Sequence, residues 1–345
     1  MSLTRPDLEA LPPYVPGRSV PGAIKLASNE VPYGPLPGVA EAVAEAITGA
    51  HRYPDMGVVA LREKIASRLG VDADRVATGC GSVALFEHLF RVTCLPGDEA
   101  VYAWRSFEAY PIIGATTAAT SVRVPNTADH GHDLDAMAAA ITDKTRLVIV
   151  CNPNNPTGTV VRKAELDAFL DKVPDNIVVA LDEAYREFVT DNTVPDGLVE
   201  YGDRPNVVVL RTMSKAWGLA GLRIGYLIGS PEVASAVRKV VTPFSTSAAA
   251  QAAALAALAA EDEMHRRVGL VVAERERVLT AVRKVYPEVP ETQSNFFWLP
   301  LGDKSADFAA KCEAEGVIVR PFQGDGVRVT IGTPEENDKF LAVIL

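Results

Sequence analysis

Short apolar runs recur along the chain, each closing on polar or glycine-containing residues. VATG, EAVYAW, RLVIVCNP, NIVVALDE and NVVVLRT are too short for ordinary helices and predict buried strands. Between them, stretches such as VVALREKIASRLG and RKAELDAFLDKV repeat apolar residues every three or four positions, which predicts helices with one packed face. PLPGVAEAVAEAITGA predicts another helix, entered through Pro37. Strands alternating with helices imply an α/β fold with a largely parallel sheet covered on both faces. Several polar clusters fall just beyond strand ends, where open α/β sheets bind ligands.

The pattern changes toward the C-terminus. From Gln251 to about Tyr286 it is helical, with Glu and Arg on the outward half; SNFFWLPL, a helical ADFAAKCEAEG and the strand pair GVIVR and GVRVTIG follow. These elements predict a smaller α+β domain completed by the proline-rich N-terminal arm. The expected division is a large domain over 29–245 and a small one made of 1–28 with 246–345. The most apolar segment, SAAAQAAALAALAA, is shorter than the roughly 20 residues that a membrane span needs. Gln251 interrupts it and EDEMHRR follows it, so it predicts a buried helix.

A chain of 345 residues has room for one or two domains. With 34 Lys and Arg against 44 Asp and Glu, its net charge of -10 argues against a nucleic-acid partner. Cys80, Cys94, Cys151 and Cys312 show no paired spacing, and the N-terminus has no apolar core run of a signal peptide. A reducing, cytoplasmic setting is expected. His130 and His132 form a short HGH motif, but His51, His88 and His265 supply no matching ligand cluster, so no metal is expected.

The strongest local motif is VVVLRTMSKAWGLAGLRIGY, residues 207 to 226. It delivers Ser214 and Lys215 from a strand into a glycine-punctuated turn, with Arg223 shortly after. A lysine amine can form an imine with an aldehyde, while Ser and Arg donate to a phosphate. Taken alone, Lys215 reads as a surface lysine in a loop. Asp182 changes that reading, because a carboxylate ending the apolar run NIVVALD is costly unless something pairs with it. A protonated pyridine nitrogen would be such a partner, and the carboxylate would keep that ring cationic. Tyr185, and Asn155 of VCNPNNPTG, are placed to donate to a ring hydroxyl, although Asn-Pro segments are more often simple turns. In VATGCGSVALFEHLF, Gly79 and Gly81 allow a tight turn, Ser82 can cap the next helix, and the helix start offers free N–H groups to an anion. Phe107 of WRSFEAY is the candidate for stacking on the ring, with Trp104 and Tyr110 competing for that place.

In this order, LPPYVPG, KLASNEVPYGP, RYPD, CNPNNPTG, LDEAY, RTMSKAWGLAGLRIGY, SNFFW and GVRVTIG resemble one family along nearly the whole chain. The sequence is similar to the fold-type-I aminotransferases of the histidinol-phosphate branch, and within it to the aromatic amino acid aminotransferases. That resemblance implies pyridoxal 5'-phosphate as cofactor and a mostly parallel seven-stranded sheet in the large domain. It implies Lys215 as the Schiff-base lysine, Asp182 at the pyridine nitrogen, and Asn155 with Tyr185 at the ring hydroxyl. Ser214, Arg223 and the Gly81–Ser82 backbone would hold the phosphate. Tyr53 of RYPD would reach the neighbouring subunit's cofactor phosphate, which implies a homodimer with shared sites. On the substrate side, the match implies Arg328 at the α-carboxylate, with Asn295, Tyr14 and Asn29 nearby. The alternation around Arg328 leaves either strand face open to it. Arg320 of VIVRPF would hold a distal phosphate or line the mouth of an aromatic pocket.

GCGSVALFEH, WRSFEAYP, PLPGV and RPFQGDGVR look more like the aromatic enzymes. The expected activity is therefore transfer of the amino group of aromatic amino acids to 2-oxoglutarate by ping-pong kinetics. Histidinol-phosphate:2-oxoglutarate aminotransferase is the alternative. The same scaffold also supports decarboxylation, and a catalytically silent binding domain is the remaining option.

Overall fold

In the computed structural model, residues 3–9, 11, 13–15 and 17–345 are described. Twelve strands occur among them. In chain order they are β1 (Ile24–Lys25), β2 (Val76–Gly79), β3 (Glu99–Trp104), β4 (Thr120–Pro125), β5 (Thr145–Cys151), β6 (Val178–Asp182), β7 (Val207–Thr212), β8 (Gly225–Ile228), β9 (Phe296–Leu299), β10 (Val317–Ile318), β11 (Arg320–Phe322) and β12 (Gly326–Thr330). Seven form one sheet in the order β2-β8-β7-β6-β5-β3-β4. Only β8 runs against the others, pairing antiparallel with both β7 and β2.

The expected parallel α/β architecture and its seven-stranded sheet are thus present. Apolar alternation in the strands explains the two faces. Leu147 and Ile149 of β5 enter one core with Tyr102 and Leu210, whereas Val148 and Val150 enter the opposite core with Val101 and Val209. Two strands escaped the pattern. β4 is an edge strand whose residues, apart from Val124, are exposed or only half-buried, and β8 is four residues led by a glycine. Neither shows the long apolar run of a central parallel strand.

Helix boundaries also differ from the sequence reading. The first long helix starts at Val39 rather than at Pro37, because Gly38 stands at its N-cap with φ 78°. Such a backbone favours glycine. The helical stretch expected from Gln251 divides at Ala260 into Ala248–Ala259 and Glu261–Val282. The former packs on Val39–Thr48 and buries Ala250, Ala253, Ala254 and Ala257. Among the described residues no helix is long and apolar enough to cross a membrane.

The segment GVIVR does not form one strand. Val317 and Ile318 pair in parallel with Ile24 and Lys25 of the N-terminal arm, while Arg320–Phe322 turn into the antiparallel sheet β11-β12-β9. The largest apolar core links these C-terminal strands to the rest: Phe296, Phe297, Val327 and Val329 join Leu61, Ile65, Met213 and Trp217.

Below the site, β6 and β7 are joined by a buried ion cluster. Arg211 donates to Glu183 Oε2 at 2.9 Å and 2.7 Å and to Asp196 Oδ1 at 2.7 Å. Glu183 Oε1 also accepts the Gly197 backbone N–H at 2.6 Å. The two side chains of the central pair are 7% and 4% exposed, so removing either leaves an unmatched charge inside the protein. Arg211→Ala is expected to lower unfolding stability by about 3–5 kcal/mol, read from the midpoint and slope of urea denaturation. A loss below about 1 kcal/mol would show that the cluster is not what ties the strands together.

Candidate active site

The carboxyl ends of β2, β3, β5, β6 and β7, with the amino end of the reversed β8, meet at one edge of the main sheet. β11 and β12 close the other side of a cleft of about 200 Å³. Tyr14, Asn29, Ser82, Phe107, Asn155, Asp182, Tyr185, Ser214, Lys215, Arg223, Arg320 and Arg328 all line it. Gly81, Asn295 and Tyr53 do not, although the first two touch residues that do.

Asp182 ends β6 and is 4% exposed. Its carboxylate accepts the Tyr110 hydroxyl at 2.5 Å and the Ala184 backbone N–H at 3.2 Å. Burial pushes the carboxyl up to about 6, and the Tyr110 hydrogen bond opposes that rise. Tyr110, which the sequence offered only as a possible stacking ring, is therefore the in-chain partner of this carboxylate. It sits in a cluster with Phe86, Tyr102 and Phe107. Only the need of a buried carboxylate for a donor could have pointed to it, and no spacing in the sequence names which donor. Trp104 is likewise not at the cleft, being flanked by Arg105 and Arg123 at 4.6 Å and 4.8 Å.

Lys215 follows β7 and donates to the Ser28 carbonyl at 3.0 Å. Its ammonium lies 5.8 Å from the Tyr185 ring centre. Burial, and after it the charge of Arg328, pull this lysine down to about 7 from its ordinary value of 10.5. A large neutral fraction near physiological pH makes it a competent nucleophile and base.

The anion wall combines three loops. The helix Gly81–Thr93 opens with Cys80 at its N-cap, so Ser82 is inside the first turn and does not cap it as the sequence suggested. The first turn of a helix leaves N–H groups without partners in the helix, and Ser82 and Val83 of this turn line the cleft. Gly81 has φ 78°, and a Cβ there would collide with the Arg223 guanidinium. A Cβ on Gly225 would come within 2.5 Å of the Ser82 nitrogen. Arg223 donates to Ser214 Oγ at 3.4 Å, which brings hydroxyl and guanidinium onto one spot.

Opposite them, Arg328 on β12 turns to the cleft, resolving the choice of strand face. It donates to Asn155 Oδ1 at 2.6 Å and to the Ala27 carbonyl at 2.7 Å, while its buried Nε has no partner. Asn29 donates to the Tyr185 hydroxyl at 2.9 Å, and Asn295 donates to the Asn29 carbonyl at 3.1 Å. Arg320 donates to Glu108 at 2.8 Å. Tyr53 stands apart on the surface, 82% exposed and stacked on Phe244 at 4.5 Å.

An amine, a carboxylate, an amide–phenol pair and an anion wall thus surround one cleft. This donor set fits a phosphorylated aldehyde on a pyridine ring, and the Arg328 guanidinium in the same lining offers a cation to a further carboxylate. Among the described residues no three His, Cys, Asp or Glu side chains converge as metal ligands.

Residues 21–344 match the family model "Aminotransferase class I and II". The chain belongs to that family. An aromatic amino acid aminotransferase of Streptomyces avermitilis is 57% identical over 343 residues, 98% of this chain and 96% of that protein. A second, from Rhodococcus erythropolis, is 57% identical over 338 residues, covering 98% and 94%. The crystal structure of histidinol-phosphate aminotransferase from Sinorhizobium meliloti, in complex with pyridoxal-5'-phosphate, aligns with a TM-score of 0.88 at 27% identity. The alignment covers 100% of this chain and 97% of that one. This aminotransferase is of fold type I and uses pyridoxal phosphate.

The depressed lysine has a consequence for the aminotransferase without cofactor. Below about pH 7 the folded protein must hold Lys215 charged against its surroundings, whereas above that value the folded amine sheds its proton before the unfolded one does. Stability therefore rises between pH 7 and 10.5 on account of this group. Lys215→Met apoprotein is expected to be more stable than the parent by about 2–4 kcal/mol at pH 6–7, with the gap narrowing toward pH 10. Urea denaturation across that range reads it, and a gap that ignores pH would contradict the burial of a strained charge.

Proposed function

We propose that this aminotransferase moves the amino group of aromatic amino acids to 2-oxoglutarate, as a homodimer whose sites each draw on both subunits. The observation that carries the chemistry is the meeting of a lysine amine shifted to about 7 and a buried carboxylate in one cleft with Arg328. The choice of aromatic substrates is supported by two relatives of that name at 57% identity along nearly the full chain.

When bound, pyridoxal phosphate supplies an electrophilic carbon that captures the substrate amine and a ring that accepts the electron pair left at Cα. Lys215 Nζ would take the Cα proton and deliver it to the cofactor carbon that had captured the amine. Asp182 would accept a hydrogen bond from the protonated ring nitrogen and hold the positive charge there. Asn155 and Tyr185 would orient the ring hydroxyl, and Phe107 would cover a ring face. Ser82, Ser214, Arg223 and the Gly81–Ser82 backbone would hold the phosphate. Arg328 holds the α-carboxylate, with Asn295, Asn29 and Tyr14 closing that side, and Arg320 stands at the distal end. We also propose that 29–245 and 1–28 with 246–345 act as two domains, and that the enzyme is cytoplasmic, in keeping with its four free cysteines.

The dimer reading rests on Tyr53. It is a large aromatic side chain standing in solvent beside Phe244, with Met56 also exposed, a patch better suited to a partner surface than to water.

Comparing kcat/KM for phenylalanine, tyrosine, tryptophan and histidinol phosphate tests the substrate. At least a roughly tenfold preference for an aromatic amino acid is expected, and preference for histidinol phosphate would replace this reading with the alternative. Lys215→Ala should erase the visible absorbance of the bound cofactor and lower turnover by roughly a thousandfold or more. Asp182→Asn should keep the fold yet slow Cα proton removal by a factor on the order of a hundred. For Tyr53, mixed dimers of Tyr53→Ala and Lys215→Ala chains decide whether sites are shared. Such dimers hold one site with both defects and one with neither, so activity should recover to about half that of the parent per dimer.

A further inference from the structure

Two arginines stand side by side at the substrate end of the cleft. In the β11–β12 pairing, Arg320 is directly opposite Arg328, and both line the cavity that contains Lys215. Directly paired residues of an antiparallel ladder have Cβ atoms about 5 Å apart. A ligand that places a carboxylate on Arg328 therefore runs its other end toward Arg320. Left as two cations, this end would select ligands with two anionic groups.

The chain supplies one of those anions itself. Glu108, which precedes the helix Ala109–Thr116, accepts Arg320 Nη2 on Oε2 at 2.8 Å. The two side chains are 11% and 29% exposed, so the pair is shielded far more than a surface ion pair. Its position is built from both sides. Three residues before Glu108, Arg105 donates to Asp325 at 2.9 Å and 2.5 Å, and Asp325 lies in the turn between β11 and β12. The loop 105–108 is thereby clipped to the same hairpin at two points. The ring of Phe322 lies under both arginines, 5.4 Å from Arg320 and 5.7 Å from Arg328, and gives the space between them an apolar floor.

We propose that Glu108 is a specificity-determining residue. As the built-in counter-ion of Arg320, it takes the place of a substrate's distal anion and biases the cleft toward ligands with one carboxylate and an uncharged aromatic end. The inference rests on the reading that the cleft receives α-carboxylates on Arg328. A phosphate or second carboxylate has to compete with Glu108 for the same guanidinium, so a dicarboxylate acceptor such as 2-oxoglutarate binds more weakly than the two arginines alone would allow.

Isothermal titration of the holoenzyme with glutarate and with 3-phenylpropionate tests this without turnover. In Glu108→Gln, glutarate is expected to bind roughly tenfold more tightly, while 3-phenylpropionate changes by less than about twofold. Turnover gives a second readout: KM for 2-oxoglutarate should fall relative to KM for phenylalanine. In an Arg320→Met background the Glu108→Gln effect on glutarate should vanish, which separates neutralisation of that arginine from a general change of the loop. Equal changes for both ligands, no tightening of glutarate, or an effect that survives Arg320→Met would each overturn the proposal. Should the parent enzyme turn over no aromatic amino acid, the proposed activity fails while the titrations still report on Glu108.

Discussion

A carboxylate buried at the mouth of a parallel sheet is tolerated only where its surroundings are shaped for it, and the cleft is organised around that constraint at Asp182. β6 ends on Asp182 between two other apolar strands, with Cys151 and Leu210 as its cross-strand neighbours. The protein offers it a tyrosine hydroxyl and one backbone N–H, which leaves it well above the ordinary carboxylate range. A positively charged ring nitrogen would stabilise it further, since opposite charge favours the ionised form. Lys215 mirrors this just beyond the next strand, an amine held in a setting that favours its neutral form. The two groups belong to adjacent strands because parallel strands deliver their carboxyl ends to one edge.

Much of this was legible in the sequence because central parallel strands are buried on both faces and so read as unbroken apolar runs. Four strands found that way, β3, β5, β6 and β7, carry Phe107, Asn155, Asp182 and Lys215 at or just after their ends, and β2 was found as well because it is fully buried although it lies at the sheet edge. β4 and β8 lacked that signal, the one being an edge strand and the other four residues of a reversed strand. Pro37 looked like a helix start because proline favours the first turn, but the neighbouring Gly38 already supplies the left-handed backbone at the N-cap. Ser82 looked like a cap for a similar reason, and the helix begins two residues too early for it.

Contacts between distant segments were not legible. Tyr110 reaches Asp182 over 72 positions of sequence, and Glu108 reaches Arg320 over 212. Both lie in WRSFEAYP, where the sequence drew attention to the aromatic ring alone. Family resemblance located the residues of the cleft, but not their hydrogen-bond partners or their charge. Those follow from burial, which is a property of the packed chain rather than of any motif.

The arm that precedes the main sheet has a role beyond covering the C-terminal strands. Ala27 and Ser28 present their carbonyls to Arg328 and Lys215, and Leu26 bonds to both Ile318 and Thr330 through its backbone. Lys215 and Arg328 are thus placed by contacts with residues 26–28, which are themselves paired to β10 and β12. On a ribosome, a chain emerging from its amino end would make the sheet that carries Asp182 and Lys215 before β12 is translated. Arg328 would then be the last of these charged groups to reach the cleft, so its side of the cavity is finished later than the sheet edge.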